Sequence, residues 1–98
     1  MGKDIHTEAV DALFEAILCL KDKEECYRFF EDVCTINELL SLSQRFEVAR
    51  MLKENMTYLE IAETTGASTA TISRVNRSLN YGNDGYEMVL ERMKSLKK

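Results

Sequence analysis

A single glycine, Gly66, divides a helix-forming segment of the chain into two short stretches. Before it, Thr57 and Glu60 have the spacing of a capping box at a helix N-terminus. Gly66 lacks a Cβ atom and can adopt the left-handed conformation that ends a helix. Ser68 then offers a side-chain oxygen to cap a second helix. Residues 57–79 are therefore predicted to form a helix-turn-helix.

The second stretch of this motif alternates between apolar and polar positions. Ile72 and Val75 can pack against Ile61 and the small Ala62 of the first stretch. The polar side is made of short side chains, which allow a helix to approach base edges, and of two arginines. The residues predicted to contact DNA are Thr57, Tyr58, Ser68, Thr69, Ala70, Thr71, Ser73, Arg74, Asn76 and Arg77. The alternative is an ordinary helical hairpin with a solvated polar face.

Apolar residues recur at helical spacing elsewhere, and we expect an all-α fold of six helices without strands. A first helix is predicted over residues 5–20. A second begins at Asp22 and is apolar over most of its circumference, so much of it is expected to be buried.

Further capping signals divide the remaining chain. A box at Thr35 and Glu38 predicts a short helix that breaks at residues 41–43, where Ser43 caps the next helix over residues 44–54. Residues 80–85 are expected to be a loop. Asp84 and Glu87 have the spacing of another capping pair and predict a C-terminal helix over residues 84–98.

The net charge of −4 argues against nucleic-acid binding when it is taken alone, because phosphates require a positive surface. The charges are unevenly distributed, however. Residues 1–42 carry four basic and ten acidic side chains, whereas residues 43–98 carry nine basic and seven acidic ones. A local basic face on an acidic chain is therefore compatible with DNA binding.

Other classes of function find little support in the 98 residues. Cys19, Cys26 and Cys34 form no CxxC pair, and with one histidine they predict buried, reduced thiols and no metal site. We find no nucleophile–base pair and no phosphate-binding loop, so we expect neither an enzyme nor a cofactor. No signal peptide or membrane span is recognised, which predicts a cytoplasmic protein without a membrane partner.

The chain resembles the Trp repressor superfamily, and more closely its YerC/YecD-like branch of bacterial DNA-binding regulators. The likeness to the branch covers nearly all of the chain, and the likeness to Trp repressor itself covers about residues 38–96. It is carried by residues 38–40, 43–49, 58–62, 66–68 and 70–74.

This resemblance implies a six-helix chain that forms an intertwined homodimer. Residues 1–98 would be one domain, with dimerisation helices in residues 1–56, the helix-turn-helix in 57–79 and the C-terminal helix after it. The apolar residues between positions 5 and 52 agree with a core that two subunits share. Two helix-turn-helix motifs would enter successive major grooves, roughly 34–36 Å apart.

The resemblance also implies roles for individual residues. Thr69, Ala70 and Ser73 correspond to positions that approach bases. Arg74 corresponds to the arginine that holds tryptophan and Arg45 to a second ligand arginine, so that both, with Ser78, are candidate effector-binding residues.

One departure bears on the effector. Val75 stands where the family has a glycine against which the indole packs. Its side chain would crowd an indole, so tryptophan is not expected to be the co-repressor. Arg74 is then expected to contact a phosphate or to form an ion pair.

The leading hypothesis is a sequence-specific transcriptional regulator, expected to be a repressor, that binds double-stranded DNA as a homodimer. Two alternatives remain open. One is a helical protein-interaction module, which the acidic charge favours. The other is a sensor that binds a small carboxylate through Arg45 and Arg74.

Overall fold

The computed structural model of the chain describes residues 4–96, and these form six α-helices and no strand. The predicted all-α fold is confirmed. The helices are α1 (Glu8–Ile17), α2 (Lys23–Val33), α3 (Ile36–Lys53), α4 (Tyr58–Thr65), α5 (Thr69–Tyr81) and α6 (Gly85–Leu96). The chain divides into two compact units, Met1–Leu39 and Leu40–Lys98, which are described separately below.

Side-chain caps define the helices of the first unit. Thr7 caps α1 by accepting the backbone N–H of Val10 at 3.1 Å, so the helix begins three residues later than predicted. Asp22 caps α2 as predicted, and its carboxylate accepts the N–H of Glu25 at 2.9 Å. The box at Thr35 and Glu38 is formed by two hydrogen bonds of 2.8 and 3.0 Å.

The apolar side chains of the first unit are not buried in the single chain. No residue of the described part of this unit, residues 4–39, is buried. The prediction that much of α2 is buried is therefore wrong for one chain alone, since Tyr27 is 56% exposed. The prediction of buried thiols is wrong in the same way, since Cys19 and Cys26 are exposed and Cys34 is half-buried. The reason is that α1 and α2 each have an apolar face, but nothing in the described part of this unit packs over these faces closely enough to bury them. The large apolar side chains left exposed are Ile5, Leu13, Phe14, Leu18, Tyr27, Val33 and Ile36.

Helix α3 is continuous, and the predicted break at residues 41–43 is wrong. The hydroxyl of Ser43 donates to the carbonyl of Leu40 at 2.9 Å instead of capping a new helix. Serine can make this backward bond inside a helix, so its presence alone does not end one. The capping signals, taken separately, predicted seven helical stretches. Two of these stretches form one continuous helix, α3, so the described residues contain six helices.

The second unit has a compact apolar core. It is formed by residues from α3, α4, the turn after α4, and α5: Val48, Ala49, Met51, Ile61, Ala67, Ile72 and Val75. Half-buried side chains pack around it, including Ala62 at the helix crossing and Tyr86 at the start of α6. Of the apolar positions predicted for the helix-turn-helix, Ile61, Ile72 and Val75 lie in this core, and Ala62 packs against it.

The connection between α5 and α6 differs from the prediction. Helix α5 continues to Tyr81, so the loop is shorter than residues 80–85. Asp84 adopts a φ of +63° and does not cap α6, because an N-cap residue requires extended backbone. Glu87, its predicted partner, lies 3.5 Å from the Lys53 ammonium instead. The last two residues of the predicted C-terminal helix, 97–98, lie outside the described residues.

Gly82 permits the close turn that follows α5. A Cβ atom at this position would clash with the backbone carbonyl oxygen of Ser78, which also accepts the Gly82 N–H. We expect Gly82→Ala to lower the free energy of unfolding by about 1–3 kcal/mol, because the backbone would have to shift. Urea denaturation measures the change.

Gly85→Ala is the matched control for this substitution. A Cβ atom at Gly85 meets no atom within 4 Å, and its φ is not positive. This variant should be neutral or more stable by up to about 1 kcal/mol, because alanine reduces the entropy of the unfolded chain. Equal losses in the two variants would contradict the steric explanation.

Candidate nucleic-acid interface

The first helix of the motif, α4, begins at the predicted capping box. The N–H of Glu60 donates to the Thr57 hydroxyl oxygen at 3.1 Å, and the N–H of Thr57 donates to the Glu60 carboxylate at 2.8 Å. The helix ends at Gly66, whose φ of +75° is the left-handed conformation expected from the sequence. Ser68 accepts the N–H of Thr71 at 3.1 Å and thereby caps α5.

A polar network, which the sequence did not reveal, fixes the turn between α4 and α5. The Thr65 hydroxyl donates to the carbonyl of Ile61 at 2.8 Å and accepts the N–H of Ala67 at 3.1 Å. The side-chain amide of Gln44 on α3 donates to the Thr65 carbonyl at 3.2 Å. These bonds join the turn to α3 and hold α5 in a defined position.

Helix α5 presents two opposite faces. Ile72 and Val75 point into the core, whereas Ala70, Ser73 and Arg77 lie on the exposed side at helical spacing. Of the residues predicted to contact DNA, the exposed ones are Thr57, Tyr58, Ser68, Thr69, Ala70, Ser73, Arg74 and Arg77.

Two residues of the predicted set, Thr71 and Asn76, are half-buried and already have hydrogen-bond partners. The Thr71 hydroxyl oxygen accepts from the Ser68 hydroxyl at 3.1 Å. The side-chain amide of Asn80 donates to the backbone carbonyl of Asn76 at 3.0 Å and to its side-chain oxygen at 3.3 Å. Because these groups already form hydrogen bonds within the chain, Thr71 and Asn76 are less available to contact DNA than predicted.

The charges of the second unit leave α5 locally positive. Between Glu63 and Asp84 the sequence contains no acidic residue. Arg50 on α3 behaves differently, because it contacts the carboxylates of Glu47 and Glu54 at 2.8 and 3.0 Å. The hydrogen bond that the Arg50 guanidinium donates to Glu47 raises the pKa of this guanidinium, with a smaller contribution from Glu54.

Three arginines, Arg45, Arg74 and Arg77, have no carboxylate within ion-pair distance among residues 4–96. One of the two predicted roles of Arg74, an ion pair, is therefore not seen within the described part of the chain. Unpaired guanidinium groups on an exposed helix are available to phosphate oxygens.

A small cavity of about 160 Å³ lies between α3 and α5. It brings together Arg45, Arg74 and Ser78, the three candidate effector-binding residues. Val75 and Tyr86 line it as well, and Val75 is fixed in the core with 3% of its surface exposed. The Val75 side chain therefore limits the space beside Arg74 in this cavity.

The protein is all-α and contains a helix-turn-helix. This motif consists of the capped helix α4, the left-handed Gly66 and helix α5 with its exposed polar face. The chain belongs to the Trp repressor protein family, whose profile matches residues 8–94. The family predicted from the sequence is thus confirmed.

Individual relatives agree with this assignment. The chain is 69% identical over 85 residues to the uncharacterised protein YerC of Bacillus subtilis (strain 168). This alignment covers 87% of this chain and 82% of the relative. A solved structure of a TrpR-like protein from Eubacterium eligens ATCC 27750 is 74% identical, with a TM-score of 0.90 over 92% of this chain and 93% of that one. A candidate Trp repressor from Staphylococcus aureus is 58% identical, with a TM-score of 0.89 over 92% and 90% of the two chains.

The family also bears on the kind of activity. Trp repressor proteins are regulators and not enzymes, so the prediction that this chain is not an enzyme is confirmed. No helix within residues 4–96 is both long enough and apolar enough to cross a membrane.

Proposed function

We propose that the chain is a sequence-specific transcriptional regulator that binds double-stranded DNA through α4 and α5. The observation that carries this proposal is the exposed face of α5, where Arg74 and Arg77 have no carboxylate partner among residues 4–96 and lie within a segment free of acidic residues. A helix of this kind suits the major groove, because its short side chains allow close approach and its arginines neutralise phosphates.

A homodimer is the second part of the proposal. The exposed apolar side chains of α1 and α2, such as Phe14 and Tyr27, need a cover that the single chain does not supply. Helix α6 has its own exposed apolar residues, including Val89 and Met93. A second copy can cover both sets, and a two-fold dimer would present two α5 helices to half-sites about 34–36 Å apart.

Selection from a random duplex pool tests DNA binding. The protein should enrich a two-fold symmetric sequence, and the affinity for that duplex should fall with salt at a log–log slope of about −0.9 per phosphate contact. Sedimentation in the same buffer should give a dimer. A folded protein that binds no duplex at low salt would overturn the proposal and favour the protein-interaction module.

A repressor that acts in the bacterial cytoplasm is the form of regulation we favour, since the Staphylococcus aureus neighbour is described as a candidate Trp repressor. Occupation of the promoter by the dimer would be the physical means. A reporter gene whose promoter contains the selected site should be expressed more strongly in cells that lack the protein. Lower expression would instead identify an activator.

The cavity between α3 and α5 favours a second candidate function, the binding of a small carboxylate by Arg45 and Arg74. Thermal-shift measurements across the amino acids test it. Tryptophan is expected to give no shift, because Val75 fills the space beside Arg74. A shift with tryptophan at micromolar concentration would contradict this expectation.

A further inference from the structure

The exposed face of α5 ends in an aromatic side chain, Tyr81, which is the last residue of the helix. Tyr81 follows Arg74 and Arg77 at helical spacing, so the three side chains share one face. Ile72, two and a half helical turns before Tyr81, lies on the opposite face and is buried in the core. The face that carries the two arginines therefore continues to the C-terminal end of α5.

Tyr81 makes little contact within the described chain. It is 86% exposed, whereas Tyr27 and Tyr58 are 56% and 37% exposed. Among residues 4–96 its hydroxyl forms no hydrogen bond, and its ring pairs with no other aromatic ring. A tyrosine with a free hydroxyl at a polar surface is well suited to contact another molecule.

The length of α5 determines where Tyr81 would lie on DNA. An α-helix rises about 1.5 Å per residue, so Tyr81 lies about 18 Å along the helix axis from Thr69, the first residue of α5. The major groove of DNA is only about 12 Å wide. When the first turns of α5 enter the groove, the last turn therefore extends past its edge, where the sugar–phosphate backbone runs.

A phosphate is the group at this edge that a tyrosine can recognise. Phosphate oxygens accept hydrogen bonds from tyrosine hydroxyls, and Arg77, one turn earlier on the same face, supplies positive charge. We propose that the Tyr81 hydroxyl donates a hydrogen bond to a backbone phosphate at the edge of the major groove and thereby limits how deeply α5 enters. This inference rests on the proposed function and adds a contact outside the predicted DNA-binding residues.

Tyr81→Phe tests the inference, since it removes only the hydroxyl. The variant should bind the duplex selected from the random pool about tenfold more weakly per half-site, because a hydrogen bond to a charged group is lost. The log–log slope of affinity against salt should stay the same, because a neutral phenol releases no counterion. The variant should still enrich the same sequence, because phosphate contacts do not read bases.

Tyr27→Phe is the matched control, because it removes the hydroxyl of another exposed tyrosine, one that lies on α2. It should change the Kd by less than about twofold, as expected for a surface substitution outside the contact.

Methylphosphonate substitution locates the contact on the DNA. It replaces one charged phosphate oxygen by a methyl group, and each position of the selected duplex is changed in turn, symmetrically in both half-sites. At one position, the loss of affinity per half-site should be about tenfold greater for the natural chain than for Tyr81→Phe. A variant that only disturbed α5 would show no such coupling to a single phosphate.

The negative outcomes are distinct. If a duplex is selected but Tyr81→Phe binds it as tightly as the natural chain, or no phosphate shows the coupling, the inference is overturned while DNA binding stands. If the natural chain sediments as a dimer and Tyr81→Phe as a monomer, Tyr81 belongs to a contact between copies, and the inference is again overturned. If no duplex is enriched at all, the proposed function fails and the inference fails with it.

Discussion

Replacing Arg74 and Arg77 together by alanine is expected to abolish measurable binding of duplex DNA while the chain stays folded. Both side chains are exposed and have no carboxylate partner in the described chain. Hydrogen bonds to charged groups contribute about 1.5–3 kcal/mol each, so the double variant should bind at least about a hundredfold more weakly. Fluorescence anisotropy with the selected duplex measures the affinity, and circular dichroism monitors the fold.

The salt dependence of binding adds an independent readout. The log–log slope should become shallower by up to about two if both arginines contact phosphates. A double variant of Arg50→Ala and Lys94→Ala is the matched control, because it removes the same charge from cations that pair with carboxylates. Equal losses in the two double variants would mean that net charge, and not the α5 face, governs binding.

Ile72→Ala should cause the largest loss of stability. Ile72 is 0% exposed and lies in the core of the second unit with Val48 and Ile61. Truncation of a buried isoleucine lowers the free energy of unfolding by about 2–5 kcal/mol, a large part of the stability of a small domain. DNA binding should fall with it, because Ile72 holds α5 against the core.

Ser73→Ala, the neighbouring substitution, provides the comparison. Ser73 is exposed, and alanine is the better helix former, so its unfolding free energy should change by less than about 1 kcal/mol. Urea denaturation of both variants at one protein concentration is required, since dimerisation would make the transition depend on concentration. Similar values for the two variants would contradict the assignment of the buried face.

Local signals predicted the helix-turn-helix well. The capping box at Thr57, the left-handed Gly66 and the cap at Ser68 each depend on atoms within a few residues of one another. Helical periodicity then separated the buried Ile72 and Val75 from the exposed side of α5. The same kind of signal failed at Ser43, because a serine hydroxyl can satisfy a carbonyl inside a helix as readily as it can cap one.

Features that depend on distant parts of the chain could not be predicted in this way. The bond from Gln44 to Thr65 spans 21 residues, and no periodicity reveals it. The partners of Asn76 and the ion pairs of Arg50 required coordinates as well. The roles expected of Arg45 and Ser78 came from family resemblance, and the structure adds that both line one cavity with Arg74.

Mapping the bound surface by nuclear magnetic resonance tests the central claim most directly. The selected duplex is titrated into isotopically labelled protein, and the backbone amide signals are followed to saturation. The largest changes should fall on Thr57, Tyr58 and residues 68–77, with the strongest in the first turns of α5. Largest changes in α1 and α2, with α5 unaffected at saturating duplex, would contradict the account.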